Sequence, residues 1–431
     1  MRIWINKISN STFFKYISIL FISNIILTAS SFFSNIYIVR NLSPSDYGVF
    51  NSLLALLMLT IHPLGVFSLV IARFVSLFYS LKEFQKLFNS IKKFSMNVLF
   101  LSILCLFIFF LFRENIAYFL KIPSSGLITF TGIVIFSSYL SSLPGGILQG
   151  IQEFKGLGLC MIFSGITKFI FIVIFIELGL RIFGALSGYI GSNLLVLGLG
   201  TVLILSKFKK ETKIQKVESI EAQKEYTSDI PSIYKYFSLV FLTTTAYMFI
   251  SNIDMILVKH FFTPDEAGSY AVAQLVGRIV FYVATPITLV MFPKITERIA
   301  TKQSTLPLLK KSLLYTGVLV SLAVMFINIF PEIIFKIITG RINSTVILLG
   351  RFYSINMALM VFINIMMYYF LSLHTISFAL IIITGGLLEA VLIYLFHHSL
   401  FNILFILFFV FVFILFLSFV AIFLNKSCQY N

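Results

Sequence analysis

Charged residues are scarce in this chain of 431 residues. They make up 11% of the sequence, whereas an ordinary soluble domain carries roughly 25%. Cysteine is rarer still: three residues, two of them inside apolar runs, provide neither a disulfide framework nor the spacing of metal ligands. The five histidines form no metal-like pattern either. These shortages argue against an ordinary soluble domain, a redox protein and a metal site.

Signatures of catalysis are also missing from the sequence. It has no phosphate-binding glycine loop, no nucleophile elbow, and no polar region large enough for an ATPase domain. We therefore predict no catalytic residues, no metal and no cofactor. The net charge of +16 is scattered among apolar segments rather than gathered in one domain, so it indicates membrane topology rather than nucleic-acid binding.

Long apolar stretches make up most of the chain, which is 59% hydrophobic with a mean hydropathy of +1.02. A helix needs about 20 apolar residues to cross a bilayer. Twelve stretches reach that length, and they predict an all-α integral membrane protein with about twelve transmembrane helices. The stretches are 14–39, 46–79, 94–112, 126–152, 158–178, 183–206, 232–258, 267–292, 312–330, 343–371, 375–396 and 400–424.

A short motif occurs twice, once in each half of the chain. Ser43-Pro44-Ser45-Asp46-Tyr47-Gly48 returns 220 positions later as Thr263-Pro264-Asp265-Glu266-Ala267-Gly268. Each copy has the form of a capping box, with proline at the first helical position. The repetition predicts a duplicated protein: a six-helix lobe over 1–206, a mixed-charge linker over 207–231, and a second six-helix lobe over 232–431.

Basic residues predict the orientation of the chain in the membrane. Most of the 32 lysines and arginines fall on one side of the predicted spans, and the positive-inside rule makes that side cytoplasmic. Both termini are then cytoplasmic, both capping boxes lie outside, and the two lobes are parallel repeats related by a pseudo-two-fold axis. Seven basic residues fall outside: Arg40, Arg113, Lys121, Arg181, Lys259, Lys336 and Arg341.

Three cations lie well inside predicted spans: Lys168, Arg278 and Arg351. A cation at the centre of a span costs about 3 kcal/mol, so such a residue normally faces a bundle interior or an aqueous cavity. We predict that all three contact a substrate. Structural ion pairs within the bundle are the alternative.

Arg278 belongs to a polar stripe with a four-residue spacing. The other members of this stripe are Tyr270, Gln274 and Tyr282, which we also predict as substrate contacts. Asn24 and Thr28 begin a second polar face on the first span. We predict Asn24 and Thr28 as substrate contacts on a face that lines a lumen, and helix packing is the alternative.

Two acids lie inside spans, Asp254 and Glu389. We predict that Asp254 or Glu389 pairs with a neighbouring buried cation, because an unpaired charge in hydrocarbon is costly, and that both take part in ion coupling or gating. Arg40 and Arg73 are predicted to act in coupling or gating.

The motifs together resemble one family. The loop Arg40-Asn41-Leu42-Ser43-Pro44-Ser45-Asp46-Tyr47-Gly48 is similar to the Arg-x-Leu-Gly/Ser-Pro-x-Asp/Glu-Tyr-Gly loop of polysaccharide flippases of the Wzx type, in the multidrug/oligosaccharidyl-lipid/polysaccharide exporter superfamily. The further similar segments are Ala72-Arg73-Phe74-Val75, Leu148-Gln149-Gly150 with Phe154-Lys155, Asp254 before the second capping box, and Phe292-Pro293-Lys294-Ile295.

The resemblance implies a transporter of the bacterial inner membrane rather than an enzyme. Its passenger would be an oligosaccharide linked to undecaprenyl pyrophosphate, destined for O-antigen, lipopolysaccharide or capsule. Its partners would be the bilayer and the polysaccharide polymerase and chain-length machinery, with no nucleic acid. A proton gradient, a sodium gradient or the substrate gradient would drive it. Two alternatives stay open: a drug/cation antiporter of the same fold, and a membrane-bound polysaccharide polymerase or ligase.

Overall fold

The computed structural model describes residues 12–61, 63–215, 230–301, 303–340 and 342–424. The regular structure in these residues is helical throughout, as predicted. The helices are α1 (Thr12–Asn41), α2 (Pro44–Ile61), α3 (Pro63–Ser80), α4 (Phe84–Leu111), α5 (Arg113–Phe119), α6 (Ser125–Gly150), α7 (Phe154–Glu177), α8 (Arg181–Gln215), α9 (Ile230–Ile250), α10 (Ile253–Phe261), α11 (Pro264–Ala300), α12 (Leu306–Ile329), α13 (Pro331–Thr339), α14 (Ser344–Ser372), α15 (Ser377–Leu395) and α16 (Leu400–Leu424).

Twelve segments of the described chain are long and apolar enough to cross a membrane, which confirms the predicted number. Ten of them lie within single helices that match the predicted stretches closely. Two predicted stretches are instead divided between successive helices. The stretch 46–79 becomes α2 and α3, because Pro63, which starts α3, has no backbone N–H to continue the hydrogen bonding of α2.

The other division falls in the middle of the seventh span. α9 ends at Ile250, a turn covers Ser251 and Asn252, and α10 starts at Ile253. Asn252 has φ −139° and ψ −11°, which is outside the helical region. A spanning helix that breaks at this depth brings backbone N–H groups and the first turn of α10 into the interior of the unit.

Two short helices occupy equivalent places in the two halves of the sequence. α5 follows the third span, and α13 follows the ninth. The two halves of the chain therefore share a short helix in addition to the capping box, which is what a duplication predicts.

The described helices form two compact units. α1 and α3–α8 make up the first unit, and α2 joins α9–α16 in the second. This corrects the predicted boundary, because α2 lies within the lobe predicted over 1–206. The start of the predicted linker is also helical, since α8 continues to Gln215 and Lys207 pairs with Glu153 at 3.1 Å.

Two glycines explain why α2 packs with the second half. A Cβ atom on Gly48 would lie 2.7 Å from the backbone nitrogen of Gly268, and one on Gly268 would lie 2.0 Å from the carbonyl oxygen of Pro44. The backbones of α2 and α11 therefore touch at the two capping boxes. The repeated loops lie side by side at the same end of the second unit, as the duplication requires.

Both repeated loops form helix caps. The amide of Asp46 donates to Ser43 Oγ at 3.1 Å. In the second copy the bonds are reciprocal: the amide of Thr263 donates to Glu266 Oε2 at 3.0 Å, and the amide of Glu266 donates to Thr263 Oγ1 at 3.4 Å. The capping boxes read from the sequence therefore start α2 and α11.

The first unit is organised around α7, which packs against α1 and α8. Gly158 and Gly165 allow α1 to approach closely, because Cβ atoms there would lie 2.7 Å from Ser23 Oγ and 3.0 Å from the Cα of Leu27. Small residues at such contacts are typical of helix packing in membranes.

Candidate functional site

Asp254 is the centre of a buried polar cluster in the second unit. It lies in the first turn of α10, directly after the break, and is 1% exposed. Tyr270 Oη donates to Asp254 Oδ2 at 2.8 Å, and Tyr353 Oη donates to the same oxygen at 3.1 Å. The amide of Gln274 is 3.5 Å from Oδ2 and donates to Tyr353 Oη at 3.1 Å.

Three helices supply this cluster. Tyr270 and Gln274 are one turn apart on α11, so the predicted stripe does face inward here. Tyr353 comes from α14, which packs along α11. Its hydroxyl group lies beside Asp254, where a cation was expected. Neutral donors, not a positive charge, therefore satisfy Oδ2.

Arg278 lies one turn further along the same face of α11 and is half-buried. Its Nη2 donates to Asn252 Oδ1 at 3.3 Å, so it reaches the turn that breaks the seventh span. It also interacts electrostatically with Asp254, Tyr47 and Tyr247. Within the described chain, however, Arg278 forms no ion pair closer than 4 Å with Asp254 or Glu389. Arg278 therefore interacts with Asp254 only over a longer distance, and the guanidinium keeps donors for another anion.

Glu389 lies on α15 and is 0% exposed. Neither of its carboxyl oxygens has a hydrogen-bond partner among the described residues. Asp254 Oδ1 also has none among them. Gly385 and Gly386, one turn earlier, allow α15 to pack tightly against Ile414 and Phe249. Glu389 interacts electrostatically with Asp254, so the cluster contains two acids, and among the described residues neither forms an ion pair closer than 4 Å.

Lys168 lies in the first unit, on α7. Its Nζ donates to Ser31 Oγ at 2.7 Å and lies 5.1 Å from the centre of the Tyr189 ring. Ser31 Oγ in turn donates to the carbonyl oxygen of Leu27 at 2.8 Å. Lys168 is thus held by neutral groups, as Arg278 is. Asn24 and Thr28 lie on α1, half-buried, on the same polar face as Ser31.

Arg351 does not join the cluster. Its Nη2 donates to the carbonyl oxygen of Asn328, in the last turn of α12, at 3.2 Å. Arg351 comes two residues before Tyr353 on α14, so the two side chains leave the helix roughly 200° apart around its axis. A cation at the carboxyl end of a helix is favourable there, so the structure places Arg351 where it stabilises α12.

The remaining predicted site residues lie nearer the surface. Arg40 is exposed in the last turn of α1, and Arg73 is exposed on α3. Tyr282 is one turn beyond Arg278 and is partly exposed. Tyr282 interacts electrostatically with Tyr47 on α2.

Sequence reasoning missed Asn252 as a break in a span and Tyr353 as a ligand of Asp254. The pair Ser251-Asn252 did carry a signal, because serine and asparagine favour helix starts. The sequence carried no signal for Tyr353 beyond its hydroxyl group, because its partner Asp254 lies 99 positions away.

Known proteins share the fold. An inward-facing multidrug resistance transporter of the MATE family and MOP superfamily aligns over 94% of this chain and 96% of its own, with a TM-score of 0.72 and 12% identity. The lipid II flippase MurJ in its inward closed conformation aligns over 92% and 87%, with a TM-score of 0.63 and 17% identity. A MOP superfamily transporter from Pyrococcus furiosus, described as having a binding pocket of reversed polarity, aligns over 95% and 94%, with a TM-score of 0.59 and 15% identity.

A sequence relative is also found. An uncharacterized membrane protein of Methanocaldococcus jannaschii is 29% identical over 208 residues, which cover 47% of this chain and 48% of that protein. The alignment thus spans about half the length of each chain. The family model described as "Polysaccharide biosynthesis protein" matches residues 13–299, which is about two thirds of the sequence. The chain has the fold of MOP superfamily transporters. Because the family model matches more than half of it, the chain belongs to the polysaccharide biosynthesis protein family.

Proposed function

We propose that the protein is a flippase for an oligosaccharide linked to undecaprenyl pyrophosphate. It moves this lipid from the cytoplasmic to the outer leaflet of the bacterial inner membrane by alternating access, and delivers it to the polymerase and chain-length machinery of a surface polysaccharide. Family membership and the transporter fold support a flippase or exporter rather than an enzyme. The substrate, the partners, the inner membrane and the cytoplasmic termini are part of the proposal.

The environment of Arg278 is the observation that carries the proposal. This guanidinium lies in a spanning helix, is half-buried, and donates to a neutral asparagine rather than to an acid. A cation that forms no direct ion pair with a carboxylate favours an anionic passenger. Guanidinium also stays charged when poorly hydrated, and it can bind two phosphate oxygens at once.

Lys168 supports the same substrate class from the first unit. It is held by Ser31 and the Tyr189 ring, and no acid pairs with it in the described chain. Each unit therefore contains a membrane-embedded cation with neutral partners. A pyrophosphate group, which carries several negative charges, fits such cations better than a cationic drug does.

The two buried acids favour a second candidate, a drug/cation antiporter. Asp254 and Glu389 interact with each other and have three carboxyl oxygens without donors. An unpartnered buried carboxylate has to be neutralised by a proton or by a cation. We assign these acids to ion coupling, so that the acids bind the driving ion and the basic residues bind the passenger.

Transport by purified protein in liposomes tests the proposal. The liposomes contain a fluorescent undecaprenyl-pyrophosphate-linked oligosaccharide, and its movement between leaflets is measured with an impermeant quencher. Loss of charged hydrogen bonds to phosphate costs about 1.5–3 kcal/mol, so Arg278→Ala should slow movement by about tenfold to a hundredfold. Arg278→Lys should retain part of the rate, because its charge remains.

Lys155→Ala is the matched control, since Lys155 is an exposed basic residue at the start of α7. It should transport at the native rate. If Arg278→Ala inserts normally and moves the lipid as fast as the native protein, Arg278 does not bind the substrate. If a cationic dye is transported and the lipid is not, the protein is an antiporter.

A further inference from the structure

A cavity of about 710 Å³ lies within the second unit, where the end of α11 meets the start of α12. Its volume is in the range of sites that bind small molecules. It belongs to neither cluster described above. Arg278 and Lys294 are 16 residues apart on α11, which corresponds to about 24 Å along the helix.

One face of each helix lines the cavity. On α11 the lining residues are Ile287, Met291, Lys294 and Arg298, spaced by four, three and four positions. On α12 the lining residues are Leu308, Lys311, Ser312 and Tyr315. The connection between the helices adds Thr301 and Gln303.

The lining changes from basic to apolar along the helix axes. Lys294 is six residues before the end of α11, and Lys311 is five residues after the start of α12, so both lie about 8 Å from the helix ends. Both lysines also lie just outside the predicted apolar stretches 267–292 and 312–330, which puts them beside the headgroup region of a bilayer. Ile287 and Met291 fall inside the first of these apolar stretches, on the side where the acyl chains begin.

Among the described residues that line the cavity, the charges are of one sign. Arg298 donates to the carbonyl oxygen of Ser304 at 2.8 Å, which orders the connection. Lys294 and Lys311 are exposed, and neither bonds to any residue that the structure describes. The described lining contains three cations and no carboxylate. These cations lie in the connection between predicted spans eight and nine, which the positive-inside rule makes cytoplasmic.

We propose that this cavity binds the headgroup of an anionic phospholipid. Lys294 and Lys311 contact the phosphate, Thr301 and Gln303 offer polar contacts to the headgroup, and Ile287, Met291 and Tyr315 contact the start of the acyl chains. Basic pockets between spanning helices at the cytoplasmic surface suit such headgroups. The ligand belongs to the membrane and is not the transported molecule, so the site does not depend on the proposed function.

Native mass spectrometry of the purified full-length protein tests the site, with phosphatidylglycerol and phosphatidylcholine as probes. The native protein should retain phosphatidylglycerol in preference to phosphatidylcholine. Each basic residue near the headgroups contributes about a fivefold change in affinity, so the double variant Lys294→Gln, Lys311→Gln should bind phosphatidylglycerol about 30-fold more weakly. The single variant Lys311→Gln should lose about fivefold, and it provides the test if the double variant does not fold.

Lys310→Gln is the matched control. Lys310 is adjacent, equally basic and exposed, but it does not line the cavity. It should leave phosphatidylglycerol binding unchanged. Equal losses for Lys310→Gln and Lys311→Gln would mean a general surface attraction and would overturn the site. Displacement of phosphatidylglycerol by millimolar inorganic phosphate would identify a free-anion site and would overturn a lipid ligand.

Discussion

Asp254 and Glu389 are both buried carboxyl groups, but their surroundings differ. Asp254 Oδ2 accepts from two tyrosines and lies near a glutamine amide. Glu389 has no donor for either oxygen within the described chain. An unsatisfied buried polar group costs about 1–3 kcal/mol, and more when it is charged. Binding of a proton or a cation would therefore stabilise the buried carboxylate of Glu389.

Replacing Glu389 by glutamine should separate ion coupling from folding. The amide is uncharged and nearly the same size, so the thermal unfolding midpoint should stay the same or rise. Lipid movement in liposomes should lose its dependence on an imposed proton or sodium gradient, because residue 389 can no longer bind the ion. The gradient whose effect disappears identifies the driving ion.

Glu332→Gln provides the comparison, because Glu332 is an exposed carboxylate in the first turn of α13. It should respond to gradients as the native protein does. If Glu389→Gln keeps the native response to both gradients, Glu389 has no part in coupling.

At the scale of the helix, the contact between α2 and α11 depends on two glycines. A methyl group on Gly268 would lie 2.0 Å from the carbonyl oxygen of Pro44, a backbone atom that cannot rotate away. Gly268→Ala should force the two helices apart and lower the free energy of unfolding by about 3 kcal/mol. A lower thermal unfolding midpoint in detergent would show this.

Gly198→Ala is the control for that variant. Gly198 lies within α8, and a Cβ atom there would meet nothing within 4 Å. Alanine favours a helix over glycine by about 1 kcal/mol, so this variant should be at least as stable as the native protein. Equal stability of the Gly198→Ala and Gly268→Ala variants would contradict the backbone contact.

The break in the seventh span shows what hydropathy cannot predict. The apolar run continues across Ser251 and Asn252, without the proline that marks the end of α2, so a window average indicates one helix. The stripe on α11 was readable, because Tyr270, Gln274 and Arg278 are neighbours at helical spacing. The contribution of Tyr353 was not readable, because the periodicity of one helix does not identify the residues that face it from another helix.

At the scale of the whole molecule, the sequence predicted the twelve spans but not how they are grouped. Length and apolar content decide whether a segment crosses the membrane, and both are local properties. The membership of α2 in the second unit depends instead on Gly48 and Gly268, which are 220 positions apart. The repeat did reveal that these positions correspond, although it did not reveal that they touch.

Cysteine labelling tests the orientation of the whole chain. In a background with the native cysteines replaced, Ser45→Cys and Asp265→Cys should react with an impermeant maleimide from the outside of intact cells. Gln303→Cys should react only after the cells are opened, because it lies in a connection predicted to be cytoplasmic. Labelling of Ser45→Cys and Asp265→Cys from opposite sides would contradict the parallel duplication.

The contact between α2 and α11 also has a consequence for the synthesis of the chain. A ribosome adds about 5–20 residues per second, so α11 emerges about 10–45 seconds after α2. During that interval α2 is already a spanning segment, yet the surface around Tyr47, Gly48 and Asn51 has no permanent neighbour. The nascent first half therefore carries an incomplete helix surface, which is covered only after the second half has left the ribosome.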